Sequence, residues 1–116
     1  MGFWAISQNK SGLTGQVDTS FTNYKALQWA LKTNPQAKLA KARTSRSIKI
    51  QRGIVYKQIG ARKLVMDEFS PIHPTGQTIL FIHGGGWRSG NRIQHEPFAQ
   101  TLAARGYHVF LVEYRL

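Results

Sequence analysis

The sequence predicts an α/β fold, and three observations carry that expectation. Thr78-Ile79-Leu80-Phe81-Ile82 is an unbroken run of β-branched and large apolar residues, which reads as a strand buried on both faces. Gly84-Gly85-Gly86 then stops the strand, because glycine admits backbone torsions that a Cβ forbids. Helical character follows over 97–105 and a second strand over 107–114, the order of a parallel crossover unit.

The segments ahead of that unit can be read in turn. Residues 1–20 are largely polar and glycine-bearing without periodicity, and are expected to be disordered. From Tyr24 the pattern becomes helical: Tyr24, Leu27, Ala30 and Leu31 share a face, with Thr22 or Asn23 as cap. Asn34-Pro35 ends that helix and is suited to open another, since Pro is at home in a first helical turn. The alanine- and lysine-rich 36–43 is a good helix former, so 21–46 is expected as a basic helical segment. Over 47–59, Ile48, Ile50, Ile54 and Tyr56 fall on even positions, the alternation of a strand with one solvated face. Gly60 marks a turn, and 62–69 reads as the second strand of a hairpin with Leu64 and Met66 on one face. A loop over 70–76 follows, its two prolines barring continuation of the sheet. Residues 47–116 are thus expected to form one α/β unit.

Charge is distributed unevenly. The formal net charge is +11, yet eleven basic residues and no acidic one lie between Thr19 and Met66. Outside that window five basic residues balance five acidic ones, so the basic excess belongs to the window itself. A stripe such as Lys38, Lys41, Arg43 and Arg46 can mark nucleic acid or an anionic surface. A solvated face is the commoner meaning, and the absence of aromatics from 38–52 argues against single-stranded nucleic acid. With no cysteine, disulfides and cysteine-bound zinc are excluded. No apolar run approaches the roughly 20 residues of a membrane span, and Phe3-Trp4-Ala5-Ile6 is too short for a signal-peptide core. Cytoplasm is the default location.

His83-Gly84-Gly85-Gly86-Trp87, with Val112-Glu113-Tyr114-Arg115-Leu116 at the following strand, resembles the α/β-hydrolase esterases and lipases that carry an HGGG-type oxyanion turn. The feruloyl-esterase-like and hormone-sensitive-lipase-like branches are the most similar, and the resemblance covers about the second half of the chain. It implies the N-terminal part of an α/β-hydrolase fold and a serine-type attack on a carboxylic ester, an acyl group on a carbohydrate among the candidates. Physically, glycines after a strand let backbone N–H groups converge where negative charge develops. The resemblance makes the N–H groups of Gly85 and Gly86 the oxyanion donors, with His83, Gly84 and Trp87 supporting the turn. It implies no metal and no organic cofactor.

The catalytic residues of such an enzyme are not assigned in this sequence. No G-x-S-x-G occurs; in Gly86-Trp87-Arg88-Ser89-Gly90 the serine is one place late. The nucleophile, acid and base of the family follow the strand at which these 116 residues end, so the chain is expected to be a truncated esterase, inactive alone. Ser89 and Asn91 read as helix-start residues. His73, His95 and His108 fit no metal spacing, and Glu96 and Glu113 have no carboxylate partner nearby in sequence. A dinucleotide-binding fragment is the other α/β alternative, with Glu113 at the end of the second strand. Its G-x-G-x-x-G fingerprint fails at Ser89, and bulky Trp87 stands inside the turn.

Overall fold

The computed structural model describes residues 22–42 and 45–116. The segment expected to be disordered, and Arg43 of the basic stripe, lie outside the described residues. Helix α1 spans Asn23–Leu31 and is capped by Thr22, whose Oγ1 accepts from the Lys25 N–H at 3.2 Å. Ala26, Leu27, Ala30 and Leu31 are half-buried, while Tyr24 points to solvent. No second helix follows: 37–42 has no regular structure, and Asn34 closes only a local turn, accepting from the Gln36 N–H at 3.1 Å. The reason is that 36–43 has propensity but little to bury. A helix that short is marginal in water without a packed face.

Strands β1 (Ile48–Ile59) and β2 (Arg62–Pro71) form the expected hairpin across Gly60-Ala61, with Gly60 at φ +59 supplying the positive torsion of a two-residue turn. Two expectations change here. Pro71 is the last residue of β2 and pairs with Ile48, so the sheet runs two residues further than the prolines suggested. A strand terminus tolerates proline because the missing N–H interrupts no later rung. In addition, β1 is not one regular alternation. Register shifts fall between Gln51 and Ile54 and between Val55 and Lys57, with Gly53 at φ +70 inside the first. Ile48 and Ile50 pair with Pro71 and Phe69, whereas Ile54 pairs with Met66. Because paired residues share a face and neighbours alternate, the bulge transfers Ile54 to the opposite side from Ile48 and Ile50.

Strands β3 (Thr78–Ile82) and β4 (His108–Val112) are parallel, and β4 also pairs antiparallel with β2, giving the order β1-β2-β4-β3. The final strand therefore lies inside the sheet, and β3 is its free edge. Strand β3 is not buried on both faces, contrary to expectation. Leu80 and Ile82 are 58% and 67% exposed, because no described element covers their side.

Covalent order leads from β3 through a 3-10 turn (Arg92–His95) into helix α2 (Glu96–Ala103) and on to β4. Asn91 caps the 3-10 turn by accepting from the Ile93 N–H at 3.0 Å. Pro97 in the first turn of α2 has a preset φ, and Glu96 meets the positive end of the helix dipole. Gly106, at φ +99, ends the helix in the left-handed conformation. Ala99 and Ala103 of α2 pack on Phe69, Val109 and Leu111, with Ile79 and Phe81 beside them. The register puts Asp67, Phe69, Val109, Leu111, Ile79 and Phe81 on this covered face. Small alanines on the helix let it sit close to the sheet.

Candidate functional site

The turn after β3 is tightly closed. The Arg88 and Ser89 N–H groups both donate to the Gly85 carbonyl at 3.2 Å, and the Ser89 hydroxyl adds a third contact at 3.3 Å. Gly85 has φ +134, and a Cβ there would lie 1.9 Å from the Ser89 carbonyl oxygen. Gly90 has φ +97, and its Cβ would lie 2.4 Å from the Gly84 carbonyl oxygen and 2.8 Å from His83 Nδ1. Gly86 and Trp87 take left-handed torsions, φ +61 and +59. Entry and exit of the turn are therefore in van der Waals contact, and only glycine fits at 85 and 90.

His83 is buried, its Nδ1 2.9 Å from the Gly84 carbonyl oxygen. Its ring stacks on Tyr114 at 4.3 Å between centroids, and the Tyr114 hydroxyl donates to the His83 carbonyl at 2.9 Å. Trp87 packs on little, being 79% exposed. Ser89 is buried against Gly85 and caps no helix, which corrects its reading as a helix-start residue; Asn91 does cap. Among the described residues, neither the Gly85 nor the Gly86 N–H has a protein acceptor. A cleft of ≈ 620 Å³ opens beside the turn, floored by Leu80, Ile82 and Val112 on the uncovered face of the sheet, towards the carboxyl ends of β3 and β4. Gly84, Gly86, Trp87, Tyr114 and Arg115 help line it, and Gly85 does not. The carboxyl ends of parallel strands are where α/β sheets bind ligands.

Beneath the turn, on the covered face, lies a cluster of opposite charges. Asp67 is 1% exposed; its Oδ1 accepts the Gly53 N–H at 2.9 Å. Its Oδ2 lies 3.0 Å from Arg92 Nε and 3.5 Å from Arg52 Nη1. The Arg92 Nε N–H has no well-aligned acceptor, so its contact with Asp67 is one of charge rather than a directed hydrogen bond. Arg92 Nη1 donates to Glu113 at 2.9 Å, and Arg52 grips both oxygens of Glu96 at 3.1 and 2.6 Å. The Glu96 hydrogen bonds raise the Arg52 pKa above its already high ordinary value; partial burial opposes the shift and the Asp67 charge adds to it. Arg52 is thus no member of a merely solvated stripe, whereas Lys38, Lys41 and Arg46 are exposed. The other histidines are scattered: His73 is exposed, His95 stacks on Phe81, and His108 Nδ1 lies 3.4 Å from Glu68. Among the described residues no three metal-binding side chains converge.

No protein-family model matches the chain, and no curated protein does. Solved structures do. Esterase B from Lactobacillus rhamnosis, in an inhibited form, matches at a TM-score of 0.55 and 27% identity over 77% of this chain. A second structure of esterase B from the same organism gives 0.53 and 26% over 77%. An arylesterase gives 0.51 over 84%, at 19% identity a likeness of fold alone. The fold is of the α/β-hydrolase type. The chain spans 30% of the length of these esterases.

The structure places His83, Gly84, Gly85, Gly86 and Trp87 in one compact turn directly after β3. Sequence reasoning missed the Asp67, Arg92 and Glu113 cluster. One signal was available: Val65, Asp67 and Phe69 are alternate positions of a strand, so a carboxylate falls on an apolar face and needs a buried partner. Arg92 offers no such signal, since only the fold brings it to Asp67.

Proposed function

We propose that these residues supply the oxyanion turn of a serine-type carboxylic-ester hydrolase, with Gly85 and Gly86 as backbone donors. The carrying observation is that their N–H groups have no protein acceptor among the described residues, in a turn closed by close contacts at Gly85 and Gly90 and opening beside a cleft. Donors held in place before reaction stabilise the tetrahedral oxyanion without reorganising. His83 and Tyr114 brace the turn's entry, and Trp87 borders the cleft. The neighbouring esterase B, matched in an inhibited form, supports the reading. A nucleophile in G-x-S-x-G spacing is not among these residues, so the chain by itself is expected to leave p-nitrophenyl butyrate at its buffer rate; turnover proportional to chain concentration would remove that part of the proposal.

The oxyanion role is tested by titrating 15N-labelled chain with dimethyl phosphate, a tetrahedral monoanion. The Gly85 and Gly86 amide resonances are expected to move first and at high salt. If they stay fixed, the oxyanion assignment falls. A second reading, a basic surface that takes nucleic acid or an anionic membrane, is favoured by the exposure of Lys38, Lys41 and Arg46, none in an ion pair among the described residues. It would show as shifts at those residues that vanish with salt.

A further inference from the structure

Because entry and exit of the glycine turn touch, its shape follows whatever holds its two ends. The entry is held by Tyr114, stacked on His83 and bonded to its carbonyl. Two residues beyond Gly90, the exit is held by Arg92, whose guanidinium lies between carboxylates from two parts of the sheet: Asp67 of β2 at 3.0 Å and Glu113, directly after β4, at 2.9 Å. Asp67 is itself fixed by the Gly53 N–H in the β1 bulge. Glu113 and Tyr114 are consecutive, so the backbone leaving β4 grips both ends of the turn at once.

We propose that Asp67, Arg92 and Glu113 are positioning residues for the Gly84–Gly86 turn, fixing its donors from beneath the sheet without touching the ligand. The consequence for an oxyanion rests on the reading above; the positioning itself does not. A nearly fully buried carboxylate on an apolar face is a costly way to add stability, and breaking such a pair leaves an uncompensated charge. What the pair supplies is a fixed place for Arg92, and hence for the backbone at Gly90.

The test compares 1H–15N spectra of the full chain as wild type, Arg92→Met, Arg92→Lys, Asp67→Asn and, as a charge control, the exposed Arg105→Met. Asp67→Asn keeps an acceptor for Gly53 and the side-chain shape, so it carries the test should Arg92→Met fail to fold. Amides of Phe69, Val109 and Leu111 report the core. In Asp67→Asn and Arg92→Met the unliganded Gly84, Gly85 and Gly86 resonances are expected to move and exchange faster while the core amides hold. Dimethyl phosphate affinity should fall at least about fivefold, the low end of coupling between sites. Arg92→Lys should lie between, and Arg105→Met should match wild type. Turn resonances and affinity unchanged in Asp67→Asn would overturn the proposal. If wild type binds no dimethyl phosphate, the oxyanion reading fails, and the unliganded resonances alone decide the positioning.

Discussion

Gly85 and Gly86 lack a side chain for different reasons, and the difference is measurable. At Gly86 a Cβ meets nothing within 4 Å, so only the left-handed φ of +61 resists substitution. Gly86→Ala should therefore cost about 1–2 kcal/mol. At Gly85 a Cβ would lie 1.9 Å from the Ser89 carbonyl oxygen, so the exit of the turn must move as well. Gly85→Ala should cost clearly more, read as urea midpoints at constant slope. Equal losses would mean that the exit yields freely and that the turn is not the rigid cradle described. The glycines were legible as a turn because three in a row after an apolar strand have few other uses. Ser89 was not: a serine near a helix start suggests a cap, and only the folded backbone shows its hydroxyl turned back on Gly85.

At the scale of elements, the contact between α2 and the sheet is the core. Phe69 has no exposed surface and lies under Ala99 and Ala103. Phe69→Ala should cost about 3–5 kcal/mol, since small alanines above it cannot fill the space. A loss below about 1 kcal/mol in chemical denaturation would place the core elsewhere. The hairpin, the parallel pair and the helix between them were readable from period and punctuation. The bulges of β1 were not, because Ile48, Ile50, Ile54 and Tyr56 keep an even spacing in sequence while the extra residues change which face they meet. Helix propensity over 36–43 also misled, since alanine and lysine favour a helix only where something pays for ordering it.

For the whole molecule, strand order was the part least accessible from the sequence. Chain order places β4 last, yet pairing with β2 and β3 puts it inside and leaves β3 at the margin. Leu80 and Ile82 there are more than half exposed, beside Trp87, an apolar surface of the kind that drives association. Leu80→Lys with Ile82→Lys should shift sedimentation of concentrated protein towards monomer and leave the Phe69 core intact. Self-association unchanged by both lysines would point to another surface. Strand β1, at the opposite margin, is interrupted by bulges and carries Lys49, Arg52 and Lys57, features that discourage a further strand from pairing. The bulge at Gly53 thus does more than anchor Asp67. It makes the sheet asymmetric in its capacity to grow: one flank is blunted, the other is receptive. Among the described residues, a strand that joins this sheet has its open berth beside Ile79 to Ile82, next to the glycine turn.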